Sequence, residues 1–131
     1  MASKKPDRPN VLFILSDDQG PWAMNCAGTE ELKTPNLDRL ASTGIRFNNF
    51  FCASPVCSPA RASILTGQMP SQHGVQDFLR RGNSAELPAD GERIQYLEGR
   101  QTYVQMLSDN GYDCGLSGKW HLGDAVVPQA G

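Results

Sequence analysis

The sequence predicts an α/β fold with a mainly parallel β-sheet flanked by helices. Three short segments, 10–16, 45–51 and 112–117, have the composition of strands, and the first has few polar breaks, as in a strand buried on both faces. Helix signals separate these segments, and this alternation is typical of a parallel sheet. The chain has 131 residues, enough for one core. We therefore expect a single domain over 1–131, with 1–9 flexible.

Two helices are indicated by capping residues and by the spacing of apolar side chains. Thr34 is a suitable N-cap, Pro35 suits the first helical position, and Gly44 ends the helix that they begin. Apolar residues at helical spacing lie between them: Leu37, Leu40 and Ala41. Thr102 and Gln105 form the pattern of a capping box, which predicts a further helix directly after Thr102.

The most specific signal is the segment 57–67, which reads C-S-P-A-R-A-S-I-L-T-G. Ser58 is the predicted N-cap of a short helix over 59–66. Cys57 would then lie beside the positive end of that helix, where negative charge is favoured. Arg61 is near the same end, and its guanidinium can hold oxygen atoms at two points. The segment therefore indicates a reactive side chain at a position where an oxyanion can bind. The simpler reading, a buried cysteine beside a surface arginine, is less favoured.

Two adjacent carboxylates follow the first predicted strand. Asp17 and Asp18 come directly after segment 10–16, at the carboxyl end where open α/β sheets bind ligands. Like charges side by side are costly unless a cation lies between them, and oxygen ligands favour Ca²⁺ or Mg²⁺ over zinc. Since Asp and Gly are also common in turns, a solvated turn is an equally good reading of D-D-Q-G alone.

A third motif, G-K-W-H-L-G, occupies 118–123. If its backbone is extended, Lys119 and His121 point to the same side, because side chains two residues apart share a face. Lysine supplies a charge for an anion, and histidine can donate a proton to a leaving oxygen near neutral pH. A glycine-bounded loop with a solvated lysine would be the preferred reading of a lone K-x-H.

Together, and in this order, the three motifs resemble those of the type I sulfatases of the alkaline-phosphatase-like superfamily. The resemblance implies that Cys57 is oxidised to formylglycine, whose hydrated aldehyde attacks the sulfur of a sulfate ester. It implies that Asp17, Asp18 and the modified Cys57 bind Ca²⁺, with Mg²⁺ as the other candidate. Arg61, Lys119 and His121 complete the implied catalytic set, the last two in contact with the sulfate group.

The implied partners are a sulfated small molecule or sugar and a formylglycine-generating enzyme. Two other functions stay open. The chain could be a phosphonate or phosphate monoester hydrolase of the same superfamily, although such relatives generally depart from the paired Asp and Lys-x-His pattern. It could also be a noncatalytic sulfatase remnant that acts as an interaction module with Cys57 unmodified.

The segment 69–91 is rich in Pro, Gly, Asn, Asp and Ser, which predicts a long irregular excursion. Loops beyond strand ends often determine specificity, so His73 and Asp77 are candidate substrate-binding residues. A solvated loop is the stronger reading for both of these side chains.

Composition limits the other functions. The net charge of −2 gives no reason to expect nucleic acid or a membrane surface as partner. The N-terminus lacks the features of a signal peptide, so a cytoplasmic protein is expected, or a secreted or periplasmic one if a signal has been removed. The four cysteines have no disulfide or zinc spacing, although one unfavoured zinc set can be written: Cys52, Cys57, Cys114 and His121.

Sulfatases are several times longer than this chain, and the segment 125–131, A-V-V-P-Q-A-G, does not look like a natural domain end. We therefore expect an incomplete N-terminal portion of a sulfatase. Such a chain should have little or no activity and weak affinity for Ca²⁺, which needs roughly 6–8 oxygen ligands. A sheet without its later strands should expose an apolar edge and favour self-association.

Overall fold

The computed structural model describes residues 8–80 and 94–124. Their contacts define two compact units, Met1–Asn48 and Asn49–Gly131, and each is described by itself. Residues 1–7, which belong to the segment expected to be flexible, lie outside the described residues. The same is true of the later part of the expected irregular excursion and of the terminal segment 125–131. Within the described ranges, no helix is both long and apolar enough to span a bilayer.

The first unit contains a short 3₁₀ helix, Asn25–Ala27, and helix α1, Pro35–Thr43. Helix α1 begins after Thr34 and ends before Gly44, as predicted. The Thr34 hydroxyl donates to Asp38 Oδ1 at 3.1 Å and accepts from the backbone N–H of Asn25 at 3.0 Å. Asp38 Oδ1 also accepts from the N–H of Cys26 at 2.9 Å. These bonds join the start of α1 to the 3₁₀ helix. The Thr34 side chain therefore bonds to a segment outside α1 and does not cap the helix.

The second unit is built around helix α2, Cys57–Thr66, which contacts α3, Pro70–His73, and α4, Tyr103–Asp109. A small core lies in this unit, and its buried apolar members are Ala62, Leu65, Val75, Leu97 and Leu122. Partly buried side chains pack against that core, among them Tyr96, Tyr103 and Trp120. The core therefore joins α2 to segments that lie far along the chain from it.

Local capping signals predicted the helix ends of the second unit well, with one correction. Thr102 Oγ1 accepts from the N–H of Gln105 at 3.1 Å, which confirms the predicted N-cap of α4. Gly67, in the left-handed conformation, ends α2. The predicted start of α2 was wrong: the helix begins at Cys57, its N-cap is Val56, and the hydroxyl of Ser58 is used elsewhere. A second difference is α3, a short helix inside the stretch that was expected to be irregular.

The parallel sheet is not seen among the described residues. Segments 10–16, 45–51 and 112–117 contain no strand, and the only described β pairing is an isolated antiparallel bridge between Gln95 and Gly123. The apolar side chains of these segments are largely exposed, with Leu12 at 85%. A strand buried on both faces needs neighbouring strands and a covering layer on each side, and the described residues do not provide that surrounding. The prediction of a sheet from these segments is thus not confirmed.

Candidate active site

Cys57 is the first residue of α2 and is half-buried. The preceding Val56 is extended, with φ −106° and ψ 138°, and its carbonyl accepts the first helical bond, from Ala60 N at 3.0 Å. The first turn of a helix has N–H groups without intrahelical acceptors and carries the positive end of the helix dipole. The structure therefore keeps the expected setting of Cys57, although the residue lies inside the first turn rather than ahead of it.

Arg61 joins the helix to the third motif. Its Nη1 donates to the carbonyl oxygen of Lys119 at 2.7 Å, across 58 positions of sequence. The contact brings C-S-P-A-R and G-K-W-H together within the second unit. Arg61 is half-buried and Lys119 is exposed. This hydrogen bond holds the segment around Lys119 against α2. It is strong because a hydrogen bond from a charged donor is stronger than one between neutral groups.

The loop 118–123 is not extended, which removes the basis for placing Lys119 and His121 on one face by alternation. Gly118 and Gly123 have φ of 113° and 109°, and His121 has φ 59°. His121 and Asp18 are the non-glycine residues with left-handed φ in the described ranges. Such backbone costs about 1–3 kcal/mol and persists where surrounding contacts impose it, which is common at functional sites.

The end of this loop is anchored by a fully buried carboxylate that sequence reasoning missed. Asp124 Oδ2 accepts from the N–H of Ile94 at 2.8 Å, and the N–H of Asp124 donates to the carbonyl of Ile94 at 2.9 Å. The bridge between Gln95 and Gly123 lies directly beside this pair of bonds. A buried carboxylate is stabilised by backbone N–H donors, so Asp124 holds the loop in place.

His121 is held through its imidazole as well as through its backbone. Its Nε2 lies 3.0 Å from the carbonyl oxygen of Leu79. The ring of Phe78 meets it edge to face, with ring centroids 4.8 Å apart and an angle of 77°. Phe78 and Leu79 were not singled out from the sequence, since no motif marks them.

His73 is buried and forms hydrogen bonds through both ring nitrogens. Its Nδ1 accepts from the N–H of Val75 at 3.1 Å, so in the neutral ring Nε2 carries the proton and donates to Ser63 Oγ at 2.9 Å. Burial, and secondarily the charge of Arg100, lowers the pKa of His73 below its ordinary value. The geometry makes His73 a link between α2 and α3.

Asp77, the other candidate from the irregular stretch, is exposed. Its Oδ1 accepts from the N–H of Phe78 at 2.7 Å. The carboxylate thus orders the backbone that leads to Phe78 and Leu79, next to His121.

Asp17 and Asp18 belong to the first unit, where both are exposed. Asp18 has φ 55°, a conformation that Asp tolerates better than most residues. Among residues 8–80 and 94–124, no group of three or more His, Cys, Asp and Glu side chains is arranged to hold a metal ion. The four cysteines are free thiols, so the alternative zinc set finds no support in the described parts.

Comparison with known proteins decides the family. The sulfatase family model matches residues 9–125. The chain belongs to the sulfatase family. It is 37% identical to the human steryl-sulfatase over an alignment of 127 residues, and the match covers 92% of this chain and 20% of that protein. It is 38% identical to the human N-acetylgalactosamine-6-sulfatase over 123 residues, which is 93% of this chain and 23% of the relative.

A bacterial relative gives the same result. The N-acetylglucosamine-6-O-sulfatase of Bacteroides thetaiotaomicron is 36% identical over 115 residues, which is 88% of this chain and 18% of that protein. The chain spans about a fifth of the length of the curated relatives it matches. The family implies an alkaline-phosphatase-like α/β fold.

Proposed function

We propose that this chain carries the nucleophile and part of the anion-binding site of a sulfatase that hydrolyses sulfate esters. The observation that supports it most is the Arg61–Lys119 contact at 2.7 Å, which joins two of the three motifs in one unit. Cys57 lies one helical turn before Arg61 on the same helix. A nucleophile precursor, a guanidinium and an ammonium group are thereby carried on two connected segments.

Each residue has a role that follows from its chemistry. Formylglycine made from Cys57 would supply a hydroxyl that attacks the sulfur. The N-terminus of α2 and the guanidinium of Arg61 favour negative charge beside that position. Lys119 offers a point charge to a sulfate oxygen. His121 can transfer a proton to or from an oxygen near neutral pH.

We also propose Asp17 and Asp18 as ligands of Ca²⁺, or of Mg²⁺, in the complete protein. Their oxygens are the donors that hard cations prefer. The described residues bring no three such side chains together in a group that could hold a metal ion, so no step of the reaction is assigned to the ion. Weak binding of Ca²⁺ by this chain is expected, and tight stoichiometric binding in calorimetry would contradict it.

The substrate class that we propose is a sulfate ester of a sugar or an aryl alcohol. The names of two relatives refer to sulfated amino sugars. Asp77 is kept as a candidate on the substrate side, whereas His73 is not carried forward because both of its ring nitrogens bond within the protein. For the complete fold we propose that segments 10–16, 45–51 and 112–117 are strands of the family's parallel sheet.

Oxidation of Cys57 provides the first test. Co-expression with a formylglycine-generating enzyme should lower the mass of the peptide spanning Cys57 by about 18 Da. The peptide containing Cys114 is an internal control, because this cysteine is not followed by Pro and Arg at the spacing found after Cys57. An unmodified Cys57 in a competent host would favour the noncatalytic alternative.

Turnover separates sulfate from phosphate chemistry. The chain of 131 residues, with Cys57 oxidised, should show little or no hydrolysis of an aryl sulfate, and what it shows should disappear in Cys57→Ala. The same assay with an aryl phosphate is the comparison. Faster turnover of the phosphate ester would replace the proposal with the phosphate monoester hydrolase.

A further inference from the structure

The position of His121 fixes which ring nitrogen carries the proton. A carbonyl oxygen only accepts hydrogen bonds, so the 3.0 Å contact with Leu79 requires a proton on His121 Nε2. In the neutral ring, Nδ1 is then the basic nitrogen. This Nδ1 is buried and has no hydrogen-bond partner among the described residues. The ring is therefore held with its acceptor nitrogen unsatisfied, which is unfavourable unless other contacts impose it.

Two contacts of the ring impose that position. The ring of Phe78 meets the imidazole at 77° with centroids 4.8 Å apart, the edge-to-face geometry that aromatic pairs favour. The Leu79 carbonyl adds the hydrogen bond to Nε2. Both contacts come from neighbouring residues, so the placement of one short segment, 77–79, determines the orientation of the imidazole.

That segment is in turn connected to the helix that carries Cys57. The N–H of Leu79 donates to Ser58 Oγ at 3.4 Å, a long bond to a side chain that is fully buried. Ser58 follows Cys57 directly in α2. Leu79 thus contacts α2 through its N–H and His121 through its carbonyl. The chain of contacts from Cys57 to His121 passes through Ser58 and Leu79, and it is separate from the Arg61–Lys119 bond.

We propose that Ser58, Phe78 and Leu79 are positioning residues for His121, which keep Nε2 as the donor and Nδ1 as the open acceptor nitrogen. None of the three is assigned a part in the chemistry. The importance of this positioning for hydrolysis rests on the proposed function. The positioning itself is a property of the fold, so it can be tested without turnover.

Nitrogen-15 NMR of the full chain is the direct test, because the protein has only two histidines, His73 and His121. The spectra distinguish a ring nitrogen that carries a proton from one that does not, and they are recorded at alkaline pH. We expect His121 to be protonated at Nε2 alone. A protonated Nδ1, or a mixture of the two forms in the unsubstituted protein, would overturn the proposal.

Phe78 offers a matched pair of variants, since its side chain is 52% exposed and its replacement should not disturb the core. F78L removes the aromatic ring, and the His121 signals should then show a mixture of the two neutral tautomers, with the proton on Nε2 or on Nδ1. F78Y retains the ring and should keep the Nε2-protonated tautomer alone. The His73 signals should be unchanged in both. An unchanged His121 in F78L, or the same loss in F78Y, would contradict the role of the ring.

Two serines on α2 provide a crossed control. Ser58 bonds to Leu79, whereas Ser63 bonds to His73. S58A should raise the amide exchange rate of Leu79 roughly fivefold and alter the His121 signals, with little change at His73. S63A should alter His73 and leave both Leu79 and His121 as they are. Equal changes at both histidines in either variant would mean a general loosening of α2 and would reject a specific positioning role.

Discussion

The two units differ in how they use their apolar residues. No described residue of the first unit is buried, although it contains the most apolar segment of the chain, 11–15. The second unit has no apolar segment as long as this one, yet it holds a core in which Leu97 and Leu122 are fully buried. The comparison teaches that an apolar segment predicts burial only where the chain also supplies the surfaces that cover it.

The units also differ in the sequence separation that their side-chain hydrogen bonds bridge. In the second unit, contacts across 42 and 58 positions fix His121 and Arg61. In the first unit, the bonds of Thr34, Asp38 and Arg46 to the 3₁₀ helix and its neighbours span 9 to 20 positions. We therefore expect the stability of the second unit to depend on single side chains, and that of the first to respond little to the same changes.

The largest expected difference is between two leucines. Leu97→Ala should lower the free energy of unfolding of the second unit by about 2–5 kcal/mol, because it leaves a cavity in the core. Leu12→Ala, at an 85% exposed position, should change stability by less than about 0.5 kcal/mol. Urea unfolding followed by circular dichroism would report both units, and the fluorescence of Trp120 in a Trp22→Phe protein would report the core against which Trp120 packs. Equal costs for the two substitutions would remove the distinction between the units.

Self-association should depend on the exposed segment 11–15. We expect the chain to associate in sedimentation experiments, and Leu12→Asp to weaken that association about tenfold, because it places a charge where apolar surface would be buried. Asn36→Asp is the matched control, since it adds the same charge at another exposed position of the first unit. Association that is unchanged by L12D, or a monomeric unsubstituted chain, would show that this surface is not responsible.

The buried link through His73 should make the second unit sensitive to acid. Burial lowers the pKa of His73 below 6.5, so the unfolded chain binds more protons than the folded one in the interval between the two values. Stability is then full above pH 6.5 and falls as the pH drops through the interval, because a proton on Nδ1 ends its acceptance from the N–H of Val75. The slope for one proton is at most about 1.4 kcal/mol per pH unit.

Two variants isolate this contribution from the other titrating groups. His73→Gln should remove the acid-dependent loss in that interval, seen as a difference between the urea midpoints of the two proteins across pH. Arg100→Ala should narrow the interval, because Arg100 contributes to the lowered pKa of His73. The same acid profile in H73Q as in the unsubstituted chain would assign the dependence to other groups.

Signals that are local in sequence predicted the structure best. The end of α2 at Gly67 and the cap at Thr102 each depend on neighbours within one helical turn, and both were correct. Ser58 also looked like a cap, but its partner is Leu79, 21 positions away. The role of Asp124 could not be predicted either, because its carboxylate accepts a hydrogen bond from the N–H of Ile94, 30 positions earlier. Spacing alone carries no information about such pairs.

The candidate site divides in the same way. Family resemblance brought Arg61 and Lys119 into one site, and their contact is present, although alternation along an extended strand was the wrong reason for pairing Lys119 with His121. The sheet could not be derived from composition, because strands form by pairing with partners that the sequence of one segment does not specify. Motifs therefore predicted a chemistry for the candidate site, whereas long-range contacts determine the geometry of its residues.

The smallest effect that we predict tests a local signal in the better-packed unit. Thr102→Ala should lower the free energy of unfolding by about 1 kcal/mol, because α4 loses the side-chain acceptor for the N–H of Gln105. Thr102→Ser keeps the hydroxyl and should recover most of that loss in the same urea titration. At Thr34 the hydroxyl makes no cap bond to α1, so any cost of Thr34→Ala must come from its bonds to Asn25 and Asp38. If T102S were as destabilising as T102A, packing of the buried Thr102 methyl group, rather than capping, would be what stabilises the start of α4.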